Sequence, residues 1–248
     1  MTDEKQLALV TGTSSGIGEA LVAELLKRNW TVLGLARRFV LDDPPHHRHF
    51  IFDLARPDHL GTFFQEEILP IIRGTDWDRV ALVNNAAAMG AMQVTLALEA
   101  NHLAQVYAVN VISPTILMGC FVKHIAVKTL LRIVNVSTGI AHRAYPGLGD
   151  YGASKAALRL AGMTLAVELE KEGRDSTEIL SYAPGVVDTP MQTRAREADP
   201  ATFPSRRMFN DFKAGGHLVS PTAVTPDIIS FLESSTGQPF TEKRFGDS

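Results

Sequence analysis

Short apolar segments alternate with longer amphipathic ones along most of the chain. The short segments are predicted as buried strands and cover residues 7–11, 31–36, 50–54, 79–84, 130–137 and 178–184. Between them apolar residues recur every three or four positions, as in Ile17, Leu21 and Leu25, which predicts helices. Strands that alternate with helices are typical of βαβ units. We therefore expect an α/β fold, a doubly wound parallel sheet with helices on both faces.

The alternation weakens after Pro184. Residues 193–209 are polar and irregular in pattern. A last helix is predicted over 220–234, with Ser220 as N-cap and Pro221 in its first turn. No linker interrupts the pattern, so residues 1–248 are expected to form a single dinucleotide-binding catalytic domain, with a substrate-loop region over about 188–220.

Composition excludes several classes of protein. Of 248 residues, 45% are hydrophobic and 21% charged, and the net charge is -3. Basic residues form no dense block, so nucleic acid is not an expected partner. Uninterrupted apolar runs stay below the roughly 18 residues of a membrane span, and the opening MTDEKQ does not resemble a secretory signal. We expect a cytoplasmic protein that contacts no membrane. The HHRH tract at 46–49 leads into a strand, and no metal site is expected.

The turn after the first strand is rich in glycine. Residues 11–18 read TGTSSGIG, which contains the G-x-S-x-G pattern of a nucleophilic serine elbow and also a glycine cradle for a pyrophosphate. An elbow requires an earlier strand and loop, and only 11 residues precede Gly12. The cradle is therefore favoured, with the amides of the following helix directed at the phosphates. Its predicted residues are Gly12, Ser14, Ser15, Gly16, Ile17 and Gly18.

Two arginines follow the second strand. A dinucleotide fold places at this point either an acid for the ribose 2′-hydroxyl or an arginine for a 2′-phosphate. Here the chain has Arg37 and Arg38, whose donors suit a phosphate. NADP(H) is therefore the predicted cofactor. Asp53, at the end of the third strand, is expected to accept a hydrogen bond from the adenine amino group, and Leu54 beside it is also a predicted cofactor-binding residue.

A tyrosine and a lysine are spaced for acid–base chemistry. Tyr151 and Lys155 lie four residues apart in a predicted helix, which places both on one face. A neighbouring ammonium favours the phenolate, so we expect Lys155 to lower the pKa of Tyr151. Tyr151 would then protonate a carbonyl oxygen as hydride arrives from a nicotinamide.

Together these segments carry a family resemblance. They are TGTSSGIG at 11–18, NNAA at 84–87, YAVNVISP at 107–114, IVNVST at 133–138, YGASK at 151–155 and APGVVDT at 183–189. In this order they resemble the short-chain dehydrogenase/reductase family, which implies a Rossmann-like fold. The resemblance implies that Asn110 kinks its helix and positions a relay water near Lys155. It implies that Lys155 binds the nicotinamide ribose and that Asn85, Val187 and Thr189 line the cofactor. A homodimer or homotetramer is also implied.

The identity of the catalytic hydroxyl stays open at this point. The family usually has a serine about thirteen residues before the tyrosine, which here is Thr138, and Ser137 directly precedes it. Either hydroxyl can donate to a substrate oxygen. Spacing favours Thr138.

The region beyond Pro184 is similar to the sepiapterin reductase and benzil reductase branch, which implies an NADPH-dependent reductase of a vicinal diketone or a related small carbonyl compound. Pterin-specific members use a C-terminal acid for the pterin edge; Arg244 stands at that place here, with Glu242 and Asp247 as the substitutes. Met191 is expected in the substrate pocket. Two alternatives remain: a sepiapterin-type pterin reductase, and a non-catalytic NADP(H)-sensing protein.

Overall fold

The protein forms one seven-stranded parallel sheet with helices packed against it. The structure is a computed structural model that describes residues 4–38 and 44–247. The sheet order is β3-β2-β1-β4-β5-β6-β7, which confirms the predicted single-domain, Rossmann-like α/β fold. The strands are β1 Gln6–Thr11, β2 Thr31–Ala36, β3 His47–Ile51, β4 Arg79–Asn84, β5 Leu130–Val136, β6 Thr177–Ala183 and β7 Phe240–Arg244.

The helices lie on both faces of this sheet. They are α1 Gly16–Lys27, α2 Pro57–Phe63, α3 Leu69–Arg73, α4 Ala100–Tyr107, α5 Ser113–His124, α6 Gly149–Lys171, α7 Pro190–Glu197, α8 Arg206–Ala214 and α9 Thr225–Glu233. Two π-helical segments, Phe64–Ile68 and Ala108–Ile112, join α2 to α3 and α4 to α5. Short 3-10 turns cover Thr95–Ala97, Gly139–His142 and Pro221–Ala223. Ser220 caps the last of these, because its Oγ accepts the Ala223 N–H at 3.2 Å.

Three sequence predictions are wrong in their details. The third strand runs over His47–Ile51 rather than 50–54, and it tolerates polar residues because it forms an edge of the sheet. A seventh strand, β7, was not expected, and it forms the opposite edge. The region predicted as loops over 188–220 contains α7 and α8, which together bury Ala195 and Phe209.

Apolar side chains form three clusters. One cluster includes Leu9, Phe64 and Phe121, and a second includes Val10, Trp30 and Ile228. Because neighbours along a strand point to opposite faces, Leu9 and Val10 place these clusters on the two faces of the sheet. The third cluster lies apart from both. Its buried members are Met89, Leu148, Ala195, Phe203 and Phe209.

The helical stretch from Ala100 to His124 is long and apolar enough, with a hydropathy of 1.5, to cross a membrane by length and composition alone. In this fold 44% of its apolar window is buried inside the protein. Phe121 and Met118 pack in the first cluster. Packing inside the protein therefore accounts for part of the apolar character of this stretch.

The fold places the predicted site at the carboxyl ends of the central strands. β1 and β4 are adjacent, and the chain passes to opposite sides of the sheet after each of them. Such a switch point leaves a crevice at the carboxyl ends of the strands, where ligands bind in open α/β sheets. The glycine-rich turn, Asn85, Ser137 and the segment after β6 all follow directly at these carboxyl ends.

Candidate active site

The glycine-rich turn has no room for side chains at two of its glycines. A Cβ on Gly12 would lie 2.9 Å from the Ala86 Cα, and one on Gly18 would lie 2.3 Å from the Gly12 carbonyl oxygen. Gly12 also has a φ of +73°, which a residue with a side chain rarely adopts. Both glycines are therefore required by the close approach of the turn to its neighbours.

Asn85 braces this turn from β4. Its Nδ2 donates to the Thr11 carbonyl at 2.8 Å and to the Gly12 carbonyl at 3.3 Å. The Thr11 hydroxyl accepts the Asn85 and Ala86 N–H groups, each at 3.0 Å. The Asn85 amide thus fixes the cradle, and Thr11 is a supporting residue that the sequence did not single out.

Of the remaining cradle residues, one is packed in the core and two are half-buried at the turn. Ile17 packs in the second apolar cluster. Ser15 precedes α1 in extended backbone, and its hydroxyl makes no capping hydrogen bond to the helix; Ser14 is half-buried beside it. A tight glycine turn, an uncommitted hydroxyl and the first amides of α1 fit a pyrophosphate group. Thr189 closes the other side, since a Cβ on Gly16 would lie 3.0 Å from its Cγ2.

The predicted adenosine-end residues lie at the ends of β2 and β3. Arg37 and Arg38 are both exposed. Arg37 and Asp53 line the same cavity. The Asp53 Oδ1 accepts the Ala55 N–H at 3.0 Å. Leu54 is buried in the first cluster, and its carbonyl accepts the Ser113 hydroxyl at 2.7 Å.

Tyr151 and Lys155 lie on the buried face of α6. Tyr151 is 7% exposed and Lys155 is 2% exposed. The Lys155 Nζ donates to the Val136 carbonyl at 2.7 Å, which ties α6 to the end of β5. Burial lowers the pKa of Lys155 to about 8. Burial raises the pKa of Tyr151 to about 12. The expected lowering of the Tyr151 pKa by Lys155 is thus wrong for this structure, because desolvation of the phenolate dominates.

Asn110 lies in the π-helical segment between α4 and α5, so the implied distortion of its helix is present. Its side chain is fully hydrogen-bonded. The Oδ1 accepts the Ala88 N–H and the Nδ2 donates to the Ala88 carbonyl, both at 2.8 Å, while Nδ2 also reaches the Ser154 hydroxyl at 2.9 Å. Ser154 in turn donates to the Tyr151 carbonyl at 2.7 Å. Asn110 therefore connects the segment after β4 to the helix that carries Tyr151. The relay water stays a prediction.

The two candidate hydroxyls differ in access. The Ser137 Oγ is sealed from solvent and has no hydrogen-bond partner within the described residues. Thr138 is half-buried, and its Oγ1 accepts the Ile140 N–H at 3.3 Å, which leaves its own O–H free to donate. Ile140 packs against Gly152 on α6, at 3.1 Å from a Cβ built there. The Thr138 turn therefore lies against the residue next to Tyr151.

Asp150 is a buried carboxylate that sequence reasoning missed. It is 2% exposed. Its Oδ1 accepts the Tyr151 N–H at 2.8 Å and its Oδ2 accepts the Ala91 N–H at 3.0 Å. Gly90 has a φ of +84°, and a Cβ there would overlap this carboxylate. Asp150 thus holds the loop after β4 against the start of α6. Its partner lies 59 residues away in sequence, so no spacing rule could have found the pair.

The C-terminal charges are arranged around β7. Glu242 is held by both ends of the Arg159 guanidinium, at 2.5 and 2.6 Å. The Asp247 carboxylate accepts the backbone N–H of Arg244 at 3.0 Å. The Arg244 guanidinium lies beside Gly139, next to Thr138, at 3.0 Å from a Cβ built on that glycine. This segment therefore places a cation beside the residue that follows Thr138.

Val187, predicted to line the cofactor, is buried in the second apolar cluster and forms a β-bridge with Val219.

Met89 is a buried member of the third cluster, and Met191 packs against it. Within residues 4–38 and 44–247, no group of three or more His, Cys, Asp or Glu side chains is arranged to hold a metal ion.

The lowered pKa of Lys155 predicts a pH dependence of stability. Native Lys155 loses its proton near pH 8 and the unfolded chain near 10.5, so the unfolded state binds more protons between these values and stability rises with pH. Relative to Lys155→Met, the wild type is expected to gain roughly 2 kcal/mol between pH 7.5 and pH 9.5. Urea unfolding of both proteins at pH 7.5, 8.5 and 9.5 measures this. A constant difference would show that Lys155 titrates normally.

The comparisons with known proteins agree with this geometry. The family model described as short chain dehydrogenase matches residues 72–200. A benzil reductase ((S)-benzoin forming) from Bacillus cereus is 32% identical, covering 91% of this chain and 93% of that one. Sepiapterin reductase from Mus musculus is also 32% identical, with 97% of each chain covered. The crystal structure of a short chain dehydrogenase/reductase from Saccharomyces cerevisiae superposes with a TM-score of 0.83 at 24% identity, over 98% of this chain and 96% of that one.

The chain belongs to the short-chain dehydrogenase/reductase family, and it is therefore an oxidoreductase. Members of this family bind nicotinamide dinucleotide cofactors. The glycine cradle described above supplies the residues for such a cofactor.

Proposed function

We propose that this protein is an NADP(H)-dependent carbonyl reductase in which Tyr151 donates the proton. The observation that carries the proposal is the burial of Tyr151 one helical turn from Lys155, at the carboxyl edge of the sheet. With a pKa raised to about 12, the phenol keeps its proton at neutral pH. A protonated phenol is the form that reduction of a carbonyl requires.

The reduced nicotinamide, when bound, supplies the hydride. The chain itself orients the substrate and moves the proton. Tyr151 gives its proton to the carbonyl oxygen, and the Thr138 hydroxyl donates a second hydrogen bond to the same oxygen. Lys155, still protonated below its pKa of about 8, stabilises the tyrosinate that remains, an effect strengthened by low local dielectric.

Thr138 is proposed over Ser137 because Thr138 is half-buried, whereas the Ser137 Oγ is sealed from solvent. Thr138→Val should lower kcat by about 10-fold or more, the loss of one donor to a developing charge. Ser137→Ala is the matched control and should leave kcat nearly unchanged. The reverse order of effects would assign the role to Ser137.

The proposed preference for NADP(H) rests on charge at the end of β2. Arg37 and Arg38 occupy the place where a carboxylate would select the ribose 2′-hydroxyl. Within the described part of the chain neither guanidinium pairs with a carboxylate, so both charges are available to a phosphate.

We propose a vicinal dicarbonyl rather than a pterin as substrate. A pterin edge would require a free acid, but Glu242 is bound by Arg159 and Asp247 by the backbone of Arg244. Arg244 instead offers donors to a carbonyl oxygen. The apolar cluster around Met89 and Phe203 suits aromatic or alkyl substituents. The benzil reductases among the relatives support the same class.

A homo-oligomer is also proposed. Exposed apolar side chains lie on α6 and directly before α5. Ile112, Leu160 and Val167 are 44%, 60% and 51% exposed. Such side chains favour a protein–protein interface when they are contiguous. Sedimentation that shows a stable monomer would contradict this proposal.

The test is NADPH oxidation followed by absorbance against benzil, 1-phenyl-1,2-propanedione, sepiapterin and a simple aldehyde, with NADH in parallel. Turnover of the aromatic diketones with NADPH is the expected result. Preferential turnover of sepiapterin would favour the pterin reductase. Tight NADPH binding without turnover across the panel would favour the non-catalytic sensor.

A further inference from the structure

A cavity of about 320 Å³ opens between the ends of β2 and β3. It is lined by Arg37, Ile51, Phe52, Asp53, Arg56 and His59. β3 is parallel to β2, and the Phe52 N–H donates to the Ala36 carbonyl at 3.0 Å, so the segments after both strands face each other. Arg56 reaches the cavity from the turn before α2. Two guanidinium groups from segments 19 residues apart therefore line one cavity.

The charge on Arg56 is not neutralised within the fold. In the residues the structure describes, neither Arg37 nor Arg56 forms an ion pair with a carboxylate. The Arg56 Nη2 contacts the His59 Nε2 at 2.5 Å, and since a guanidinium can only donate, the imidazole nitrogen accepts. The Asp58 carboxylate lies 3.0 Å from the same nitrogen. That nitrogen cannot accept from Arg56 and donate to Asp58 at once. Arg56 therefore shares its side-chain partner, His59, with Asp58.

The backbone holds Arg56 in place. The Arg56 N–H donates to the Asp53 carbonyl at 2.9 Å, and the His59 N–H donates to the Arg56 carbonyl at 3.2 Å. Asp53 also accepts the Ala55 N–H, which commits part of its carboxylate to the turn. The cavity is therefore lined by two guanidinium groups, one of them on a backbone held by this turn, and by one carboxylate that is partly bound to the turn, which gives a net positive site.

We propose that Arg56 joins Arg37 in binding a phosphate monoester, the 2′-phosphate at the adenosine end of the cofactor, and that Arg56 is a determinant of cofactor choice. This inference rests on the proposed use of NADP(H). Two guanidiniums suit a phosphate dianion because each can donate to two of its oxygens. The ribose 2′-hydroxyl of NAD(H) carries no charge to meet them. Arg56 therefore contributes to discrimination between the two cofactors and contributes little to binding of the atoms that NADP(H) and NAD(H) have in common.

The test is calorimetric binding of NADPH, NADH, adenosine 2′,5′-bisphosphate and 5′-AMP to the full chain, without any substrate. Arg56→Gln should weaken NADPH and the bisphosphate by about 10- to 100-fold, the loss of one charged hydrogen-bonding group. NADH and 5′-AMP should change less than about threefold. Arg48→Gln is the matched control, because it removes the same charge from β3, where Arg48 pairs with Glu67, outside the cavity. It should leave all four affinities unchanged.

Other outcomes have distinct meanings. If wild type binds NADPH no more tightly than NADH, the proposed NADP(H) dependence fails and the inference fails with it. If wild type prefers NADPH and Arg37→Gln abolishes the preference while Arg56→Gln preserves it, only the inference about Arg56 is overturned. Equal weakening of all four ligands by Arg56→Gln would place Arg56 at the shared adenosine and would also overturn it.

Discussion

Tyr151→Phe is expected to lower kcat for carbonyl reduction by about 10²- to 10⁴-fold, the usual contribution of a positioned proton donor. Phenylalanine has nearly the same shape. The Tyr151 hydroxyl has no hydrogen-bond partner within the described residues, so the substitution removes the acidic proton and little else. Stopped-flow or steady-state NADPH oxidation with benzil measures the loss. Affinity for NADPH should stay within about threefold of wild type.

Tyr107→Phe provides the matched control. Tyr107 lies on α4, outside the groups proposed to act on the substrate, and its substitution removes the same hydroxyl. It should leave kcat unchanged. A Tyr151→Phe protein that retains most of its activity would refute the role of Tyr151 as proton donor, and a water or another hydroxyl would have to supply the proton.

Gly18→Ala is expected to impair both stability and cofactor binding. Its Cβ would lie 2.3 Å from the Gly12 carbonyl oxygen and 2.6 Å from the Asn85 Nδ2. Neither group can move without displacing the turn, because Asn85 is itself bonded to it. Crowding of this kind costs about 1–3 kcal/mol of folding free energy. NADPH affinity should fall by at least about 10-fold, because the amides that would hold the phosphates shift.

Gly61→Ala is the control for this substitution. Gly61 is also a helical glycine, on α2, and a Cβ there meets nothing within 4 Å. Its replacement should leave binding unchanged and stabilise the helix by up to about 1 kcal/mol. Urea unfolding and NADPH fluorescence titration of both variants separate the effects. Unimpaired binding by Gly18→Ala would show that the turn relaxes and that its geometry does not control the cofactor.

The sequence predicted the central fold better than its margins. β1, β4, β5 and β6 are buried strands in which apolar residues predominate, and their bounds agree with the prediction within a residue or two. β3 and β7 are edge strands, where polar residues such as Arg48 and Lys243 weaken the pattern. Helices α7 and α8 pack mainly on a small cluster of their own, so few of their positions need to be apolar.

The parts of the candidate site that the sequence predicted are those whose residues must lie at a fixed spacing along the chain. The glycine turn and the Tyr151–Lys155 pair fall in this class. Asp150, Thr11 and Arg56 did not emerge, because their partners or cavity depend on how distant segments meet in the fold. The direction of the Tyr151 pKa shift was wrong for a related reason: a four-residue spacing shows that an ammonium is near, but it does not show how dry the surroundings are.

The separation of the third apolar cluster has a consequence for how this enzyme class diversifies. Met89, Phe203 and Phe209 contribute to neither of the clusters that cover the sheet. Under the proposed function this cluster borders the substrate, so substitutions among its members would change the shape of that border without touching the two clusters that cover the sheet. Because these side chains are buried, exchanges that conserve their volume are expected to be tolerated best, and this small cluster is where substrate preference would change with the least effect on the sheet.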